Sequence, residues 1–127
     1  MNELQKLIVR GLEGFFSATP SEMLRELGLG VATGKYKVFV SRFDGYCILA
    51  LPQTPFEHPQ VLHFYSENKA VTRKLVAQTL DFVAKRGYTK LLAVNGSGAP
   101  DAVWTRAFRY EGWRIKPVKT VFEFERV

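Results

Sequence analysis

Residues 61–113 read VLHFYSENKAVTRKLVAQTLDFVAKRGYTKLLAVNGSGAPDAVWTRAFRYEGW, and the change of period inside this stretch decides the fold. VLHFY (61–65) is a short apolar run of strand type. From 69 to 86 the period becomes helical. Val71, Leu75, Val76, Leu80, Val83 and Ala84 make an apolar face, and Arg73, Lys74, Gln78, Asp81, Lys85 and Arg86 make a wet one. Gly87 is the expected left-handed stop. TKLLAV (89–94) is a continuous apolar strand of the kind found at a sheet centre. NGSGAP (95–100) is a connection, Pro100 opens a last helix, and Gly112 ends it. A strand–helix–strand unit of this length joins parallel strands by a right-handed crossover. Strands 61–65 and 89–94 are therefore predicted to be parallel neighbours bridged by helix 69–86.

Outward from this unit, residues 3–17 read as a helix, with Leu4, Leu7, Ile8, Leu12 and Phe15 at helical spacing. Thr19-Pro20-Ser21-Glu22 has the form of a capping box, and the helix it starts ends at Gly28 or Gly30. KYKVFVSRF and YCILAL flank Asp44-Gly45, a pair suited to a tight primed turn, so 35–43 and 46–51 form an antiparallel hairpin. Pro52, Pro55 and Pro59 mark 52–60 as a loop. The tail from Trp113 to Val127 is strand, with a break near Pro117 and with Val118, Thr120, Phe122 and Phe124 on one face. No repeat or linker interrupts the chain, which reads as one domain over 1–127.

Composition narrows the classes. Lys and Arg number 18 against 12 Asp and Glu, a net charge of +6, which favours anionic partners. No stretch approaches the ~20 apolar residues of a membrane span. The start, MNELQKLIVRGLEGFF, carries charge within its apolar run and lacks a small-residue cleavage site. The lone Cys47 excludes an internal disulfide and reads as a buried strand thiol. Together these features point to a soluble protein of cytosolic type, with no membrane partner.

The order of elements in 61–113 resembles the cofactor-binding half of the GNAT acyltransferase superfamily. LDFVAKRGYTKLLAV is similar to the end of that family's third helix and its following strand. VFVSRFDGYCILAL is similar to its second and third strands, and RAFRYEGW sits where the family ends its last helix. The likeness covers about residues 35–115. It implies an α/β (α+β) fold, a single GNAT-like domain with a mixed central sheet, the parallel strand–helix–strand unit and two leading helices.

The resemblance also implies a site. Members bind acetyl-CoA, as a substrate, at the turn leading into the third helix. Their signature Q/R-x-x-G-x-G/A falls here on Glu67, Asn68, Lys69, Ala70, Val71 and Thr72. Backbone amides at that helix start approach the pyrophosphate, Asn68 can cap, and Lys69 or Arg73 can pair with phosphates. Glu67 sets a negative charge beside that polyanion. Asn95 lies across the groove in which the cofactor would run. Phe108 occupies the place of the family's general-acid Tyr and has no proton to give. Tyr110 lies two residues on, about 200° around a helix. Asp101 falls near the family's usual Asn.

A general base would come from the central strands. His63 and Tyr65 share a face of 61–65, and His63 has the near-neutral reference pKa suited to taking a proton from an amine. Tyr65, Tyr110 or water would then return one to the leaving thiolate. His58 and His63, with Glu57 adjacent, do not make a zinc pattern, and no metal is implied. NGSGAP lacks the third Gly and acidic partner of a dinucleotide fingerprint.

Two classes of function fit these features. One is a divergent GNAT-like N-acyltransferase carrying an acetyl group from acetyl-CoA to an amine. The other keeps the fold as a catalytically degenerate structural or interaction module with a protein assembly partner. GNAT-like folds of this size occur among phage-encoded proteins, both in virion components and in nucleic-acid-associated modification proteins. Host cytoplasm or virion would then be the location. The basic surface leaves nucleic acid open as a partner.

Overall fold

The protein's structure, a computed structural model, describes residues 2–12, 20–94, 101–118 and 121–127. Helix α3, Lys69–Lys85, joins strand β3, Gln60–Ser66, to strand β4, Lys90–Val94. The two strands pair in parallel at Gln60↔Leu92 and Val61↔Ala93, as the apolar period predicts. Around them lie helices α1, Glu3–Leu12, and α2, Pro20–Ala32, and strands β1, Tyr36–Ser41, and β2, Gly45–Ala50. Helix α4, Asp101–Ala107, and strands β5, Trp113–Val118, and β6, Val121–Arg126, complete the chain order. The six strands form one mixed sheet in the order β1-β2-β3-β4-β6-β5. Among the described residues no helix is long and apolar enough to cross a membrane.

Each face of the sheet buries its own core. Under α3 lie Leu49, Leu91, Ala93, Phe122 and Phe124, against Val76, Leu80 and Val83. Under α1 and α2 lie Tyr46 and Ile48, against Leu7 and Ile8. Two glycines seat those helices directly on tyrosine rings. A Cβ on Gly11 would stand 2.3 Å from Tyr46 Oη, and one on Gly30 would stand 2.1 Å from Tyr36 Cδ2.

Several boundaries differ from the sequence reading. Helix α2 runs through Gly28 and Gly30 to Ala32, because Gly30 is used for close packing and Gly34 (φ 76°) takes the left-handed stop. The first hairpin turns at Arg42-Phe43-Asp44, not at Asp44-Gly45. Arg42 (φ 46°) and Phe43 (φ 61°) carry the positive angles, and the Asp44 amide donates to Ser41 O at 2.8 Å. Gly45 opens β2 because any side chain there would stand 2.6 Å from both Tyr65 O and Val71 Cγ1. Helix α4 ends at Ala107, so Phe108 and Tyr110 do not share a helix. Gly112 (φ 86°) serves instead the turn before β5. The tail is two antiparallel strands, with Pro117 inside β5. Proline is tolerated there because β5 is an edge strand. Phe122 and Phe124 share the buried face as predicted. Residues 13–19, 95–100 and Thr120 lie outside the described residues.

Candidate functional site

The site begins where β3 and β4 part. Among the described residues the parallel ladder ends at Val61↔Ala93, while β3 continues to Ser66. The β2–β3 register slips at the same level. Ile48 faces His63 and Leu49 faces Val61, so Leu62 is an extra residue in β3. Such a bulge bends a strand and re-aims the side chains beyond it. Val61 and Phe64 consequently pack on the α3 side, and Tyr65 packs on the α1 side.

The chain then turns into α3. Asn68 is extended, and its Oδ1 accepts the Val71 amide at 2.9 Å. The Thr72 amide donates to Asn68 O at 3.1 Å. The Thr72 hydroxyl is held by Ser66 Oγ and by Asn68 O, so it braces the turn from within. The amides of Lys69 and Ala70 have no acceptor among the described residues. They form the positive end of a 17-residue helix. Lys69, Ala70 and Arg73 are exposed. Glu67 is turned toward α1, where its Oε1 accepts Arg10 Nη1 at 2.8 Å and Tyr65 Oη at 3.3 Å. Arg10 therefore balances the negative charge of Glu67 beside the helix start. Sequence spacing carries no sign of this pair, which is 57 residues apart.

A buried Tyr–His pair lies on the α1 face. Tyr46, with no exposed surface, stacks on His63 with ring centroids 5.6 Å apart. Tyr46 Oη lies 3.3 Å from Ile8 O and 3.0 Å from His63 Nδ1. A hydroxyl has one proton. Both contacts are satisfied together when Tyr46 donates to the Ile8 carbonyl and His63 Nδ1–H donates to Tyr46. The basic nitrogen of that tautomer is Nε2. Burial holds the His63 pKa below its ordinary value, so the neutral ring is favoured. Burial likewise raises Tyr46. Tyr65 is raised by partial burial first and by the Glu67 carboxylate second. Sequence reasoning misses Tyr46 because it begins an apolar run, YCILAL, and looks like core.

On the α3 side, Phe64 meets Phe108 edge-to-face, centroids 4.9 Å apart and planes at 78°. Tyr110 Oη donates to Asp81 of α3 at 2.9 Å, off the end of α4. Asn95 lies outside the described residues. Asp101 opens α4. Burial pushes the Cys47 thiol up to about 12, which leaves it protonated and inert at neutral pH. Among the described residues no group of three or more His, Cys, Asp or Glu is placed to hold a metal ion.

Solved structures share this fold. A proposed GNAT-family acetyltransferase from Desulfovibrio desulfuricans superposes with a TM-score of 0.62 at 20% identity, over 98% of this chain and 92% of that one. The fold is GNAT-like. PaiA N-acetyltransferase from Thermoplasma acidophilum, solved with coenzyme A, gives 0.61 at 12% identity, over 98% and 92% of the two chains. Ribosomal-protein-alanine N-acetyltransferase from Brucella melitensis gives 0.61 at 14% identity, over 98% and 93%. No family model matches the sequence, and no curated protein sequence matches it.

Proposed function

We propose that the chain is a divergent N-acyltransferase that transfers an acetyl group from acetyl-CoA to an amine. The observation that carries this reading is the parting of β3 from β4 at a bulge, directly before a helix start with two amides that have no acceptor among the described residues. The residues present fit a pyrophosphate. The Lys69 and Ala70 amides have no acceptor among the described residues, Lys69 and Arg73 supply positive charge, and Arg10 counters Glu67. Asn68, Val71 and Thr72 shape the turn.

In this scheme the amine nitrogen attacks the thioester carbonyl carbon. A C–N bond forms, the C–S bond breaks, and coenzyme A leaves as a thiolate without a covalent enzyme intermediate. His63 Nε2 takes the amine proton, with Tyr46 fixing the tautomer through Nδ1. Water returns a proton to the thiolate, or Tyr65 does by giving up its 3.3 Å bond to Glu67 Oε1. Phe108 cannot, and the Tyr110 proton is directed at Asp81. Titration calorimetry with acetyl-CoA tests the reading. Heat that declines with salt and is lost in Lys69→Glu/Arg73→Glu is expected. No heat and no thermal shift at about millimolar ligand would sink it.

The Phe64–Phe108 contact favours a second reading, since Phe108, which stands where the family has its general-acid Tyr, is spent on packing against Phe64 and has no proton to give. The fold would then serve as a binding module without turnover. Acetyl-CoA binding with no acetylation of any amine in a broad panel would select that reading.

A further inference from the structure

At the foot of β3, away from the helix start of α3, the loop between β2 and β3 borders a groove of about 510 Å³. We propose that this groove and the adjoining β1–α3 edge bind single-stranded nucleic acid. The proposal does not depend on the acyl-transfer reading. Phe56 lines the groove and is 92% exposed. Pro52, Pro55 and Pro59 restrict the loop that holds it there, so little freedom is left to lose when a flat apolar surface covers the ring. Lys35 and His58 line the same groove. Two residues on from Lys35, within β1, is Lys37, whose ammonium lies 5.7 Å from the Phe82 ring centroid. Arg86 lies over the same ring at 4.9 Å. Two like charges thus converge on one phenyl ring.

None of Lys35, Lys37 and Arg86 pairs with a carboxylate among the described residues. The ion pairs there lie elsewhere, at α1 and on the far half of the sheet, where Lys90, Arg114 and Lys116 meet Glu123 and Glu125. Glu57, the one carboxylate lining the groove, has its Oε2 held by the Gln53 amide at 2.7 Å. Against Lys35, Lys37 and Arg86 stands that single groove carboxylate, so positive charge is in excess among these groups, beside an exposed aromatic ring. A single strand matches both features, with phosphates for the cations and unpaired bases to stack on Phe56. An acidic peptide offers the charge without the flat ring, and a duplex keeps its bases stacked inside.

Fluorescence anisotropy with a labelled single strand of about 12 nucleotides tests this on the full chain. Binding is expected at about 50 mM salt, with a log–log salt slope of about −2 for three phosphate contacts. Phe56→Ala should weaken it about tenfold without changing the melting temperature, because the side chain is exposed. Lys35→Glu/Lys37→Glu should weaken it further and flatten the slope. The proposal is overturned by absence of binding, or by wild-type binding in both variants. Equal affinity for a duplex of the same length, or equal displacement by polyglutamate, also overturns it. So does a loss of binding confined to Lys69→Glu.

Discussion

Replacing Gly11 by Ala should destabilise this protein, although Ala is the better helix former. In an open helix the change gains ~0.8–1 kcal/mol. Here the new methyl carbon would stand 2.3 Å from Tyr46 Oη, 2.7 Å from Cε1 and 2.8 Å from Cζ. Tyr46 is fully buried and stacked on His63 and near Tyr65, so the ring has no space to yield and α1 must lift. Overpacking of this kind costs ~1–3 kcal/mol. The net effect is a loss of roughly 0–2 kcal/mol, and a loss of about 1 kcal/mol is a fall in Tm of roughly 3–6 °C for a chain of this size. Gly28→Ala supplies the contrast. Gly28 is exposed within α2 with nothing within 4 Å of its Cβ position, so that change should raise Tm by about 2–4 °C. Calorimetric melts of both variants decide the matter. Near-UV circular dichroism of Gly11→Ala should also change, because lifting α1 removes the Ile8 carbonyl from Tyr46. If Gly11→Ala raised Tm as Gly28→Ala does, the seating of α1 on Tyr46 would be refuted.

Gly45→Ala should lower the urea midpoint by ~1–3 kcal/mol equivalent, since its Cβ would stand 2.6 Å from Tyr65 O and Val71 Cγ1; an unchanged midpoint would show that β2 does not approach the α3 start so closely. The depressed His63 pKa means the unfolded chain binds that proton more readily than the folded one. The contribution to stability is therefore complete above the ordinary value of 6.5 and declines as pH falls below it. Tm measured between about pH 7.5 and 5.5 should fall, and His63→Gln should remove part of that fall; equal slopes in the two proteins would reject it. If amines are acetylated, His63→Ala should lower the rate at neutral pH with acetyl-CoA affinity nearly unchanged. Phe108→Tyr should raise the rate, by up to ~10²-fold where geometry allows. A rate indifferent to both changes would take these positions out of the mechanism.

The arrangement of α3 between β3 and β4 is legible in the sequence because it depends on local period. Val71, Leu75, Val76, Leu80 and Val83 repeat at helical spacing within a 17-residue helix, and all are buried. Asn68 as a cap is readable for the same reason, since the bond it makes reaches only three residues. Glycines read locally as stops or turns. Gly30 and Gly45 have another meaning, close approach to Tyr36 and to β3, which depends on residues distant in sequence. The sequence reading makes α4 too long because nothing local before Gly112 marks its end at Ala107.

The site divides along the same line. Residue types near the α3 start, the near-neutral His63 and the missing phenol at Phe108 come from sequence and from likeness to a family. The Leu62 bulge, Arg10 balancing Glu67, and the contact of Tyr46 Oη with His63 Nδ1 come only from the tertiary structure. Each is a contact between separate elements of the chain, and hydrophobic period does not encode which elements meet. Sequence alone determined which segments become helix or strand and which of their faces is apolar. Packing decided which charges are paired, which polar groups are buried together, and where the two parallel strands separate. Those outcomes depend on desolvation and steric fit, which exist only once the sheet has formed.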